Sequence, residues 1–117
     1  MTLRNEKVRK ALMKEIADIL QKDIRDSRIT GLVSVMDVEV AHDNSFAKVY
    51  YSIFGGDEAS KEKTKEAIQS HVPKIRHEVG KRIRLRLTPE LRFVFDDSIE
   101  RGMKVTELLN KISRGEV

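Results

Sequence analysis

The stretch Leu32-Val33-Ser34-Val35-Met36-Asp37-Val38-Glu39-Val40, then Ala41-His42-Asp43-Asn44-Ser45, then Phe46-Ala47-Lys48-Val49-Tyr50-Tyr51-Ser52-Ile53-Phe54, decides the fold. Residues 32–41 alternate with a period of two, which is the period of a strand. Leu32, Met36, Val38 and Val40 fall on one face, Asp37 and Glu39 on the other. His42-Asp43-Asn44-Ser45 supplies turn chemistry, since short polar side chains can bond their own backbone. Beyond it Ala47, Val49, Tyr51 and Ile53 share one face, and Phe46, Lys48, Tyr50, Ser52 and Phe54 share the other. Two strands joined so briefly predict an antiparallel hairpin.

Upstream, residues 4–24 read as an amphipathic helix, with Val8, Leu12, Ile16, Ile19 and Leu20 at helical spacing. Lys7, Arg9, Lys10 and Lys14 crowd its other side, and Asp26-Ser27-Arg28 and Gly31 end the pattern. Downstream, Gly55-Gly56-Asp57 closes the hairpin and opens a helix near Glu58, with Ala59, Ala67 and Ile68 as core candidates. Pro73 cannot sit inside an unbroken helix but suits a first helical turn. The reading is helix–kink–helix across His71-Val72-Pro73, with the second helix starting at Pro73 and burying Ile75, Val79 and Ile83. Residues 82–87 are ambiguous: strict alternation suits a strand, while Val79, Ile83 and Leu87 continue a helical stripe. Continuity from Pro73 favours helix to about Leu85, and Thr88-Pro89 enforces a stop. Leu91, Phe93 and Phe95 predict a third strand, and Asp96-Asp97-Ser98 the cap of a last helix over roughly 99–113, with Ile99, Val105, Leu108, Leu109 and Ile112 on its apolar side. The order α-β-β-α-kink-α-β-α predicts an α+β fold, a three-stranded sheet covered on one face by helices. Residues 1–113 read as one domain and 114–117 as a short polar tail.

A chain of 117 residues can bury its own core, and 39% hydrophobic against 36% charged residues is foldable rather than disordered. No stretch approaches the roughly 18 apolar residues of a membrane helix, so no membrane partner is expected. With no cysteine there is neither a disulfide framework nor a zinc–thiolate site. Met1-Thr2-Leu3-Arg4-Asn5-Glu6-Lys7 lacks the apolar region of a secretory signal, which points to the cytoplasm. His42, His71 and His77 lack ligand spacing, and no phosphate loop, nucleophile elbow or dinucleotide fingerprint is present. Asp96-Asp97 could be paired carboxylates for metal or acid–base work, but the reading as a helix N-terminus is preferred. The expectation is a non-enzyme with no catalytic residue, metal, cofactor or small-molecule substrate.

The net charge of +4 is concentrated. Residues 74–92 hold Lys74, Arg76, Lys81, Arg82, Arg84, Arg86 and Arg92 against only Glu78 and Glu90, a net +5 that leaves the rest of the chain at −1. Such a stripe is the footprint of polyanion binding, most often nucleic acid, although a charge run is also an ordinary solvated face. The candidate RNA-binding set is Arg9, Lys10, Lys14, Lys74, Arg76, Lys81, Arg82, Arg84 and Arg86. Without tryptophan, binding should lean on phosphate contacts and shape.

The string from Lys81 to Gly102, Lys-Arg-Ile-Arg-Leu-Arg-Leu-Thr-Pro-Glu-Leu-Arg-Phe-Val-Phe-Asp-Asp-Ser-Ile-Glu-Arg-Gly, resembles the signature region of the bacterial ribosome-binding factor A family. Asp37-Val38-Glu39-Val40, Ala47-Lys48-Val49-Tyr50-Tyr51, Ile16-Ala17-Asp18-Ile19-Leu20-Gln21 and Asp26-Ser27-Arg28 also match, so the resemblance runs from about Lys7 to Leu109. It implies a type II KH-like fold and an assembly factor that binds the small (30S) ribosomal subunit and its 16S rRNA. It further implies support for late processing of the rRNA 5′ end and for cold adaptation, with the free protein expected as a monomer. The alternative is a generic KH-like nucleic-acid binder with a non-ribosomal partner. No two glycines have the Gly-x-x-Gly spacing of ordinary KH loops, which the family also lacks. Where the family has Ala-x-Gly at the interhelical kink, this chain has His71-Val72-Pro73, so that Pro73 would kink by removing a donor and His71 could bring a titratable group to the site.

Overall fold

A computed structural model describes residues 3–97. Helix α1 is Leu3–Lys22, strands β1 and β2 are Leu32–Val40 and Phe46–Phe54, helices α2 and α3 are Glu58–Ser70 and Val72–Arg82, and strand β3 is Glu90–Phe95. The expected last helix over 99–113, Ser98 before it and the tail 114–117 lie outside the described residues.

The hairpin forms as expected, β1 pairing antiparallel with β2 from Leu32 opposite Phe54 to Val40 opposite Ala47. Its faces need a correction. A bulge at Met36 shifts the register between Val35 and Asp37. One extra residue reverses the alternation before it. Val33 and Val35, not Leu32 and Met36, therefore oppose Ile53 and Tyr51 on the helix side, and Leu32 is left 64% exposed. At the open end of the hairpin Gly31 has φ +73°, and a Cβ there would lie 2.5 Å from the Phe54 carbonyl oxygen. Only glycine permits both that conformation and that approach.

Strand β3 lies parallel to β2, from Glu90 beside Phe46 to Phe95 beside Tyr51, which makes β2 central. Parallel neighbours need a crossover, and α2 and α3 provide it. The core forms where Val8, Leu12, Ile16 and Ile19 of α1 and Ile75 and Val79 of α3 meet Val38, Ala47, Val49 and Leu91 of the sheet. Burying each large aliphatic side chain contributes roughly 1.5–3 kcal/mol. Tyr51 extends this layer with edge contacts to Phe93 and Phe95 at 6.2 and 5.8 Å.

The Asp57 carboxylate caps α2 by accepting from the Ser60 N–H at 2.8 Å. The buried stripe is Thr64, Ala67 and Ile68, and Ala59 is exposed. Ala59 stands one residue out of step with that stripe, and a polar residue replaces it for a reason. The Thr64 hydroxyl accepts from the Thr30 N–H at 3.2 Å and lies 3.1 Å from the Arg28 carbonyl, tying α2 to the loop before β1. The kink forms at His71, whose N–H reaches the carbonyls of Ala67 and Ile68. Helix α3 starts at Val72, one residue before the expected Pro73, which falls in the first turn.

The helix also ends earlier than expected, at Arg82 rather than about Leu85. Ile83 is extended, with φ −114° and ψ 117°, while its N–H still closes the last turn on Val79. Leaving the helix lets Ile83 and Leu85, two residues apart, both pack against the core, with the Leu85 N–H turned onto the Ile83 carbonyl at 3.0 Å; helical positions two apart point to different sides. The chain then folds back beside α3 to enter β3. Arg76 holds that return by donating from Nη2 to the Thr88 carbonyl at 2.7 Å and from Nε to that of Pro89 at 3.1 Å.

Candidate nucleic-acid interface

The nine predicted cations do not share one free surface. On α1, Arg9 bonds Glu6 at 2.7 Å and Asp37 of β1 at 2.8 Å, so it stands on the flank facing the sheet edge. The Glu6 carboxylate raises the Arg9 pKa, and Arg9 in turn lowers that of Glu6. Lys14 lies one turn before Asp18 on α1. Lys10 and Lys14 are exposed, and neither makes a hydrogen bond or ion pair with a described residue.

On α3 the cations again divide. Lys74 donates to the Asp23 carbonyl at 3.3 Å. Arg82 is clasped by three carboxylates, Asp23 at 2.6 Å, Asp18 at 2.8 Å and Glu15 at 3.1 Å. These bonds raise the Arg82 pKa, led by Asp18, and Arg82 is the first cause of the lowered Asp18 pKa. A guanidinium so surrounded has its fork occupied and its charge balanced. Its evident work is to join the end of α3 to α1. Arg76 faces the other way, onto the 88–89 carbonyls. Lys81 is 61% exposed, with Glu78 at 3.5 Å. Arg84 and Arg86 follow on the non-helical return segment, exposed and without a hydrogen bond or ion pair among the described residues. Arg92, part of the same basic run, leaves the stripe altogether: it lies over the Phe46 ring at 4.5 Å.

The kink is pinned rather than open. Nε2 of His71 lies 3.0 Å from an Asp26 carboxylate oxygen. Asp26 also accepts from the Arg28 guanidinium at 2.7 Å and from the Arg28 N–H at 2.9 Å. The Arg28 side chain, then its N–H, then His71 hold the Asp26 carboxyl well below the usual carboxylate range. Arg28 reaches Ser70 as well, at 3.1 Å. The imidazole thus docks the kink onto the loop after α1. Val72 is half-buried, and Pro73 is exposed without an N–H to offer.

Sequence reasoning missed the acids that neutralise Arg82. A signal existed, since Glu15 and Asp18 lie three residues apart and so on one helical flank. It also missed His77 and Leu87, which stand with Lys81 and Arg86 around an open cleft outside α3. Among the described residues no group of three or more His, Asp and Glu side chains could hold a metal ion, and no helix is long and apolar enough to cross a membrane.

Comparison with known proteins places this architecture. The family model described as Ribosome-binding factor A matches residues 4–109. A relative from Clostridium tetani, named Ribosome-binding factor A, is 49% identical over 110 residues, covering 94% of this chain and 90% of its own. The crystal structure of ribosome-binding factor A from Thermus thermophilus superposes with a TM-score of 0.66 at 23% identity, over 77% of this chain and 92% of that one. A Thermus thermophilus coordinate set fitted into the cryo-EM map of a 30S complex superposes with a TM-score of 0.60 at 24% identity, over 74% of this chain and 89% of that one. These two share the fold, and the family match together with the close relative carries more: the chain belongs to the ribosome-binding factor A family.

Proposed function

We propose that this protein is an assembly factor that binds the small ribosomal subunit through its rRNA, with no chemistry of its own. The observation that carries the reading is the group of exposed cations at Lys81, Arg84 and Arg86: the two arginines make no hydrogen bond or ion pair with a described residue, and Lys81 has Glu78 at 3.5 Å. Exposed cations with unoccupied donors suit phosphate oxygens. Arg9 and Arg82 are assigned to holding the fold, and Lys74 and Arg76 to bracing α3. A Thermus thermophilus relative of the same fold is described in a complex with the 30S particle, which supports the choice of partner. The family supports the finer reading: assistance with late processing of the rRNA 5′ end and growth in the cold, from the cytoplasm, as a monomer when free.

Sedimentation with small subunits, large subunits and whole ribosomes at two salt concentrations tests this. Salt-sensitive comigration with the small subunit alone is expected. Equal binding to all particles, or to none, would instead leave a KH-like nucleic-acid binder with another partner. Loss of the gene should also lead to accumulation of rRNA with an unprocessed 5′ end, most strongly at low temperature.

A further inference from the structure

Between the outer flank of α3 and the returning segment 84–88 lies an open cleft of about 660 Å³. That falls within the range of roughly 300–1,000 Å³ of small-ligand sites. Its walls are fixed. Arg76 ties the far wall down through the Thr88 and Pro89 carbonyls. Gly80 sets the width, because a Cβ there would lie 3.0 Å from the Thr88 hydroxyl.

The lining has a definite chemistry. Lys81 and Arg86 stand at the cleft with His77 beside them; among the described residues no carboxylate lines it, and Glu78 reaches Lys81 at 3.5 Å. Next to these cations Pro73, Leu85 and Leu87 give an apolar surface, and Leu87 is 60% exposed. A ligand that satisfies both halves carries an anion and a flat apolar face within one small unit. A nucleotide with its base out of the stack does so. A duplex keeps its base faces covered and offers only phosphate, and an acidic peptide brings charge without the planar face.

We propose that this cleft takes one unstacked nucleotide of single-stranded RNA, its phosphate on Lys81 and Arg86 and its base against Leu87 and His77. The proposal rests on the RNA-binding reading above and deepens it. It would make the factor sensitive to whether a stretch of rRNA is still unpaired.

The test is a titration of the full, ¹⁵N-labelled chain with an eight-nucleotide oligouridine and, separately, with an eight-base-pair RNA duplex, with subunit sedimentation run in parallel. The single strand should move amide resonances of residues 76–88 and bind several-fold more tightly than the duplex. Leu87→Ser leaves every charge in place at an exposed position, and should weaken the octamer about fivefold or more with the remaining spectrum unchanged. Equal binding of the duplex, an unchanged affinity in Leu87→Ser, or displacement of the octamer by decaglutamate as readily as by RNA would each overturn the proposal. If the cleft resonances stay still while the protein pellets with small subunits, the nucleotide site falls and the functional reading stands. If they move while the protein fails to pellet, the nucleotide site stands and the choice of partner falls.

Discussion

Arg82 and the pair Arg84 and Arg86 are neighbours in sequence, yet the structure assigns them opposite work, and that difference can be measured. Among the described residues Lys10, Lys14, Arg84 and Arg86 make no hydrogen bond or ion pair, and Lys81 has Glu78 at 3.5 Å. Five phosphate contacts on single-stranded RNA give a log–log salt slope of about −3.5. Raising salt from 50 to 200 mM should then weaken binding about a hundredfold. Arg84→Ala with Arg86→Ala leaves three contacts and a slope of about −2.1, so the same change of salt should cost only about twentyfold. Arg82→Gln should behave otherwise. It leaves Glu15, Asp18 and Asp23 without their shared guanidinium, so three carboxylates face one another where α3 meets α1. It should lower the thermal midpoint and leave the slope where it was. Fluorescence anisotropy with a labelled oligonucleotide across four salt concentrations, alongside thermal unfolding followed by circular dichroism, reads both quantities. The reasoning is refuted if Arg82→Gln flattens the slope as the double variant does while unfolding at the wild-type temperature.

Further expectations concern the fold and the kink. Gly31→Ala should destabilise by at least about 1–2 kcal/mol in urea unfolding, because it adds a left-handed backbone penalty to a Cβ 2.5 Å from the Phe54 carbonyl oxygen. Ile75→Ala, emptying a fully buried position between α3 and the sheet, should cost about 2–5 kcal/mol by the same measurement. The Asp26 carboxyl has its pKa lowered by folding, so its stabilisation is present above the ordinary carboxylate pKa and is lost as pH falls below it. Stability followed from pH 6 to pH 2 should decline less steeply in Asp26→Asn than in the wild type, and parallel curves would show that the Asp26 bonds are not formed in solution.

How far the sequence could be read depended on whether a signal was local. The hairpin, the α1 stripe from Val8 to Ile19 and the break before Pro73 each follow from spacing within a few residues, and each is present. Met36 defeated the face assignment because a bulge adds one residue without any composition cue, which reversed the parity of Leu32 and Val33. The stretch 82–87 carried two periods at once, and the chain follows neither: the helix ends at Arg82 and an irregular return packs Ile83 and Leu85 against the core. The basic stripe was legible as charge but not as availability. Glu15, Asp18 and Asp23 are about sixty residues away from Arg82 in the chain, and only the packing of α3 along α1 brings them together. His71 reads the same way: its partner Asp26 is 45 residues upstream, beyond the reach of any spacing argument.

On this reading the small subunit is bound through the exposed cations at and after the end of α3. The most direct test is the affinity of purified small subunits for the wild type and for Arg84→Glu with Arg86→Glu, measured side by side by sedimentation at fixed salt after circular dichroism has shown both to be folded. The wild type should pellet with the small subunit and not with the large one, and the folded variant should stay in the supernatant. A folded variant that pellets as well as the wild type would contradict that reading.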